Sequence, residues 1–151
     1  MKYLCSLFSK EQKKSYKRYI TMCEKAKEIQ ECHKLAEGDC FFHPEFGVYE
    51  VSQIHDDIIT TTTEREVKCL TDECAWLPSG EELEKKSYND IHLDSDGLKK
   101  FLEDNTGTFK YFPRPGVYFR TPESQWLAYY MFERYSKIWD LKNDEKWIKV
   151  K

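Results

Sequence analysis

Polar and apolar positions change period several times along this chain, and each change marks an element. Over residues 10–35 the apolar positions return about every 3.6 residues. Tyr16, Tyr19, Ile20, Cys23 and Ala26 share one face with Gln12. Lys10, Lys13, Lys14, Lys17, Arg18 and Lys25 fall on the opposite face. Ser9 with Gln12 reads as a capping box, and no Pro or Gly interrupts before Gly38. The pattern predicts one long basic helix whose thin, tyrosine-rich stripe packs on the surface of a domain.

From residue 38 the period falls to two. Residues 39–43, 48–54 and 58–63 read as strands separated by turns at 44–47 and 55–57, with a further short strand near 67–70. Trp76 and Leu77 follow as core anchors, and Pro78 closes that strand-like piece. Ser79, with Glu82 three residues on, caps a short helix to about residue 86. Another helix is expected over 97–104, turning Leu98, Phe101 and Leu102 inward, and residues 108–120 read as a hairpin.

The strongest periodic segment is 121–140. Thr121 is a good N-cap and Pro122 stands at the favoured first helical position. Leu127, Ala128, Met131, Phe132, Tyr135, Ile138 and Trp139 form its apolar arc. Trp126 and Tyr130 fall on the opposite side, among Glu133, Lys137 and Asp140. Those two aromatics are either covered by the 10–35 helix or form an exposed contact patch. The tail, 145–150, reads as a last strand. The expected fold is therefore α+β: a small curved antiparallel sheet of three to five strands packed with about three helices, preceded by a long basic amphipathic N-terminal helix. The expected division is a helical extension, 1–36, and an α+β domain, 37–151.

Composition supports a packed chain, with 40% hydrophobic and 34% charged residues among 151. The net charge of −3 hides a pattern. Residues 1–36 hold 9 Lys/Arg against 4 Asp/Glu, residues 37–107 hold 6 against 18, and residues 108–151 hold 9 against 5. Such a basic–acidic–basic chain neutralises itself on folding or presents faces of opposite sign. No secretory signal is recognisable, and no stretch approaches the roughly 18 apolar residues of a membrane span. These features predict a soluble cytoplasmic protein with reduced cysteines.

Candidate chemistry is sparse. Cys40 and His43 have ligand spacing, and with Cys69 and Cys74 would complete a tetrahedral zinc site. Residues 92–103 loosely resemble a calcium loop, but His92 replaces its first acid, and Asp94 serves equally as a helix N-cap. No phosphate-binding Gly-rich loop, H-E-x-x-H or nucleophile elbow is present. No catalytic residue or cofactor is assigned. The basic stripe Lys10, Lys13, Lys14, Lys17 and Arg18, and the pair Trp126 and Tyr130, are the candidate partner contacts. Nucleic acid is an alternative ligand for the stripe.

Trp76-Leu77-Pro78-x-x-Glu81-x-Leu83, Ser124-Gln125-Trp126-Leu127-Ala128 with Met131, Glu133, Tyr135, Lys137 and Trp139-Asp140, and Lys146-Trp147-Ile148 together resemble a group of small uncharacterised bacteriophage and prophage proteins. That group carries a W-L-P-x-x-x-x-L segment and a Q-L-W-L-A-x-x-M-x-x-x-Y-x-K-x-W helix. The likeness spans about residues 38–150, and Trp126 directly follows Gln125, one residue short of the pattern. It implies life in a bacterial host cell and brings no catalytic residues. The expected function is non-catalytic binding of a macromolecular partner, such as a host or bacterial-defence protein that it inhibits. The alternative is a zinc-binding or nucleic-acid-binding accessory protein.

Overall fold

Helix and strand signals separate along the chain as the two periods require, giving an α+β protein. The computed structural model describes residues 10–45, 47–55, 58–61, 66–68, 74–103, 118–140, 143 and 145–150, with backbone only for 10–13 and 66–68. Two units divide at Leu77–Pro78, and not at Glu37. The N-terminal helices therefore belong with the sheet and do not form a separate arm.

In the first unit, the expected single helix is two: α1 (Lys10–Lys25) and α2 (Lys27–Cys32). The break lies at Ala26, whose ψ of 70° leaves the helical region. An unbroken helix would give the Cys23 carbonyl to the Lys27 N–H. Here it accepts from Ala26 N at 3.1 Å and from the Gln30 side-chain amide at 3.0 Å. A side chain inserted into the ladder is a recognised cause of a kink. Tyr19, Met22, Cys23, Ala26 and Ile29 are buried, as the periodicity requires.

The strands are β1 (Cys40–His43), β2 (Gly47–His55), β3 (Ile58–Thr61), β4 (Glu66–Lys68) and β5 (Ala75–Trp76). They form one antiparallel sheet in the order β4-β3-β2-β1-β5. Registers such as Phe41 opposite both Tyr49 and Trp76 bring large side chains together across neighbouring strands. Phe41, Tyr49, Val51, Ile59 and Cys74 form the buried cluster, with Leu35 packed against it. A bulge between Val51 and Gln53 shifts the β2–β3 register, and beyond it 52–55 are exposed.

The second unit holds α3 (Gly80–Ile91), α4 (Ser95–Glu103) and α5 (Pro122–Tyr135), with a two-stranded pair, β6 (Lys137–Trp139) and β7 (Trp147–Lys149). The expected caps at Ser79 and Thr121 form, while Ser9, the cap expected for the first helix, lies outside the described residues. Ser79 and Glu82 close a reciprocal box at 3.1 Å in each direction, and Thr121 closes one with Ser124. Asp94 Oδ1 accepts from Gly97 N at 2.8 Å, the helix-cap role.

The helix ends differ from expectation. α3 continues to Ile91, five residues past the expected stop, and ends on His92 in the left-handed region (φ 57°). α5 stops at Tyr135 because Ser136 adopts φ 54° and its N–H bonds back to Met131 and Phe132. Ile138 and Trp139 therefore lie in β6 and not on the helix. Trp139 is nevertheless buried, and its ring meets Trp147 edge-on at 5.2 Å. Residues 118–120 form no strand, though Phe119 is buried. The rest of the expected hairpin lies outside the described residues. No helix of the described residues is long and apolar enough to cross a membrane.

Candidate functional site

α1 is amphipathic in three dimensions as in sequence. While Tyr19, Met22 and Cys23 are buried, Lys14, Lys17 and Lys25 stand exposed and Arg18 is half-exposed. Neither Lys14 nor Lys17 forms a salt bridge with a described residue. The Thr21 hydroxyl donates to the Lys17 carbonyl at 3.1 Å, so it is held against the helix between the cations. The side chains of Lys10 and Lys13 lie outside the described residues, although both positions are in α1.

Trp126 and Tyr130 do not form a surface patch. They are 5% and 1% exposed, and α5 is buried almost all round from Ser124 to Met131. Opposite the apolar arc, α3 supplies what an aromatic needs. The Tyr130 hydroxyl donates to Asp90 Oδ2 at 2.7 Å. Lys86 Nζ sits 5.6 Å from the ring centre and 3.0 Å from the same carboxylate, and Tyr135 meets the ring edge-on. Burial, then the Asp90 hydrogen bond, push the Tyr130 phenol well above its usual range. In return, that hydrogen bond is the largest influence holding Asp90 below the usual carboxylate range. Tyr130 is thus a buried donor with a satisfied hydroxyl.

Among the described residues the candidate zinc ligands do not assemble. Cys74 is disulfide-bonded and so offers no thiolate. That bond also departs from the expectation of reduced cysteines, which holds for Cys23, Cys32 and Cys40. His43 is buried, and its Nδ1 accepts from Glu45 N at 3.1 Å. Cys69 lies outside the described residues, and among those described no three His, Cys, Asp or Glu side chains converge as a metal site would require.

The chain matches no protein-family model, no curated protein and no solved structure.

One polar constellation was missed by sequence reasoning altogether. Gln30 spans from α2 to β5, accepting from Trp76 N at 2.6 Å and donating to Trp76 O at 2.9 Å. A side-chain amide thereby plays the part of a neighbouring strand along the edge of the sheet. Beside it, the His33 ring stacks on Trp76 with centres 3.5 Å apart and planes 10° apart. Its Nε2 lies 2.7 Å from Asp39 Oδ2, which also accepts from Ala36 N at 2.9 Å. The Gln30 bonds satisfy both backbone groups of Trp76 and fasten helix to sheet, while the buried Trp76 indole N–H has no hydrogen-bond partner among the described residues. Nothing in periodicity distinguishes such a glutamine from one facing water.

Proposed function

We propose that this chain is a non-catalytic binding protein that grips an acidic macromolecular partner with the outer face of α1. One observation carries the reading: Lys14 and Lys17 are exposed and form no salt bridge with a described residue, on a helix whose other face is buried. A helix anchored through its apolar side holds its cations at fixed spacing, and preformed positive charge both steers and selects an acidic partner. Trp126 and Tyr130, being buried, are left out of this contact.

The resemblance to small phage and prophage proteins supports a bacterial host cell as the setting, with a host or defence protein as the partner and inhibition as the outcome. A cytoplasmic location belongs to the same proposal. It is in tension with the Cys74 disulfide, because the cytosol keeps most thiols reduced.

Capture from bacterial lysate, with partners identified by mass spectrometry, tests the proposal. The native chain is expected to retain a partner at low salt, and Lys14→Glu/Lys17→Glu to lose it while keeping its circular dichroism. Equal capture by the folded double variant would sink the reading. Capture abolished by nuclease would move the partner from protein to nucleic acid.

A further inference from the structure

The second unit carries a surface that matches α1 in charge and in spacing. On α3, opposite the buried Leu83 and Ser87, Glu81, Glu84 and Tyr88 form a stripe at i, i+3 and i+7. The stripe borders a groove of about 600 Å³ whose lining also includes Lys85, Leu93 and Asp94. Glu81 and Glu84 are exposed and form no salt bridge with a described residue. Tyr88 is 58% exposed, the most of any large hydrophobic side chain described, with His92 against it edge-on at 5.9 Å. Carboxylates beside an open aromatic face suit a cationic side chain, whose ammonium meets the acids while its stem and charge lie on the ring.

The chain itself provides such a segment. Lys14, Lys17 and Thr21 on α1 repeat the i, i+3, i+7 spacing of Glu81, Glu84 and Tyr88. Helical residues three apart rise about 4.5 Å. Laid parallel to α3, α1 would bring both lysines to both carboxylates at once. Thr21, small and already bonded to its own helix, would fall opposite the Tyr88 ring.

We infer that the protein self-associates, with α1 of one copy seated along the α3 groove of a second copy. The inference rests on α1 being a contact surface, as proposed above, and adds the groove as its mate. Each copy offers one ridge and one groove, so the contact joins unlike surfaces of two copies. Exposed ion pairs are individually weak and are screened within about 8 Å at physiological salt. The association is therefore salt-sensitive, and while it lasts it hides the ridge from any other acidic partner.

Sedimentation of the full chain tests this. At low salt the native protein is expected above its 18.1 kDa chain mass, returning to it as salt rises. Lys14→Glu/Lys17→Glu and Glu81→Lys/Glu84→Lys should each stay at chain mass, because each sets like charge against like. Their equimolar mixture should regain the native mass, because reversed ridge then meets reversed groove. Native chain at chain mass under all salt conditions, association that survives either reversal, or a mixture that fails to associate would each overturn the inference. Should a reversal variant fail to fold, Lys17→Gln and Glu84→Gln must each weaken association severalfold, and no weakening would count equally against it. The two proposals fail separately. A monomeric native chain that still captures a lysate partner sinks only self-association. A self-associating chain sinks only the outside partner if Glu81→Lys/Glu84→Lys, its ridge uncovered, captures nothing.

Discussion

The two units fasten their helices by opposite means. In the sheet unit, the junction between α2 and the sheet edge is made by polar side chains: Gln30 on both backbone groups of Trp76, and His33 held flat on the indole by Asp39. In the other unit, α5 is held by being surrounded. Leu127, Ala128 and Met131 are fully buried, and Trp126, Tyr129 and Tyr130 nearly so. A junction of hydrogen bonds depends on direction and fails when one partner goes. An apolar surround depends on volume and fails when a void opens. The basic ridge sits on the first kind of unit and the acidic groove on the second.

The largest effect expected from breaking this contrast is in the apolar surround. Leu127→Ala deletes a fully buried side chain and should cost about 3 kcal/mol, within the usual range for such truncations. Hydrogen exchange read by mass spectrometry should show protection lost in α3, α5 and β6 and retained in β1 to β3. Equal loss in the strands would mean that the units are not separately held.

Gln30→Ala attacks the other kind of junction. It removes the side-chain partner of Trp76 N, Trp76 O and Cys23 O. Three net hydrogen bonds at a partly wet site are worth about 2 kcal/mol together. Gln30→Glu sharpens the test, since it keeps an acceptor for Trp76 N but turns negative oxygen toward two carbonyls. It should destabilise at least as much as alanine, with exchange rising first in α2 and β5. A neutral Gln30→Glu would show that packing, and not the amide, holds the junction.

The same contrast explains which parts of the fold were legible in sequence. Caps are local: Ser79 and Glu82, or Thr121 and Pro122, announce a helix start within four residues, and all formed as read. Period-two runs gave β1 to β3 within two residues at their described ends. Helix stops were misread because His92 and Ser136 end helices in the left-handed region without the glycine that usually marks it. The Ala26 break was invisible because its stabiliser, Gln30, gains its role from Trp76, 46 residues away. Tyr130 was misplaced for a similar reason. A helical wheel assigns sides by charge, but here Asp90 and Lys86 of α3 make the charged side an interior one. Of the candidate site, the stripe of Lys14, Lys17 and Arg18 was legible because amphipathic spacing is local, whereas its acidic counterpart on α3 needed the 93–95 segment folded beside it.

The smallest effect comes from a polar bond inside the apolar unit, that of Tyr130 to Asp90. Asp90 is held below the usual carboxylate range, chiefly by the Tyr130 hydroxyl, with Lys86 and Arg134 adding to it and burial opposing. A carboxyl with a folded pKa below its unfolded one adds stability when charged. That stability is fully present above the unfolded value, near 4, and is lost as pH falls through the lower folded value. The Asp90 side chain is 33% exposed, so water screens the Lys86 attraction and the contribution should stay at about 1 kcal/mol or less. Asp90→Asn keeps an oxygen for the Tyr130 hydroxyl and removes only the charge. Urea unfolding of both proteins from neutral pH downward should therefore show native stability exceeding that of Asp90→Asn above the carboxylate range, with the gap closing on acidification. Glu24 and Glu133, raised by burial, shift with the opposite sign, but they are common to both proteins and cancel in the difference. Tyr130→Phe should return the Asp90 carboxyl toward its ordinary range while leaving the ring in place. A gap that stays constant or widens as pH falls would show that the contribution of the hydroxyl–carboxylate bond does not depend on charge.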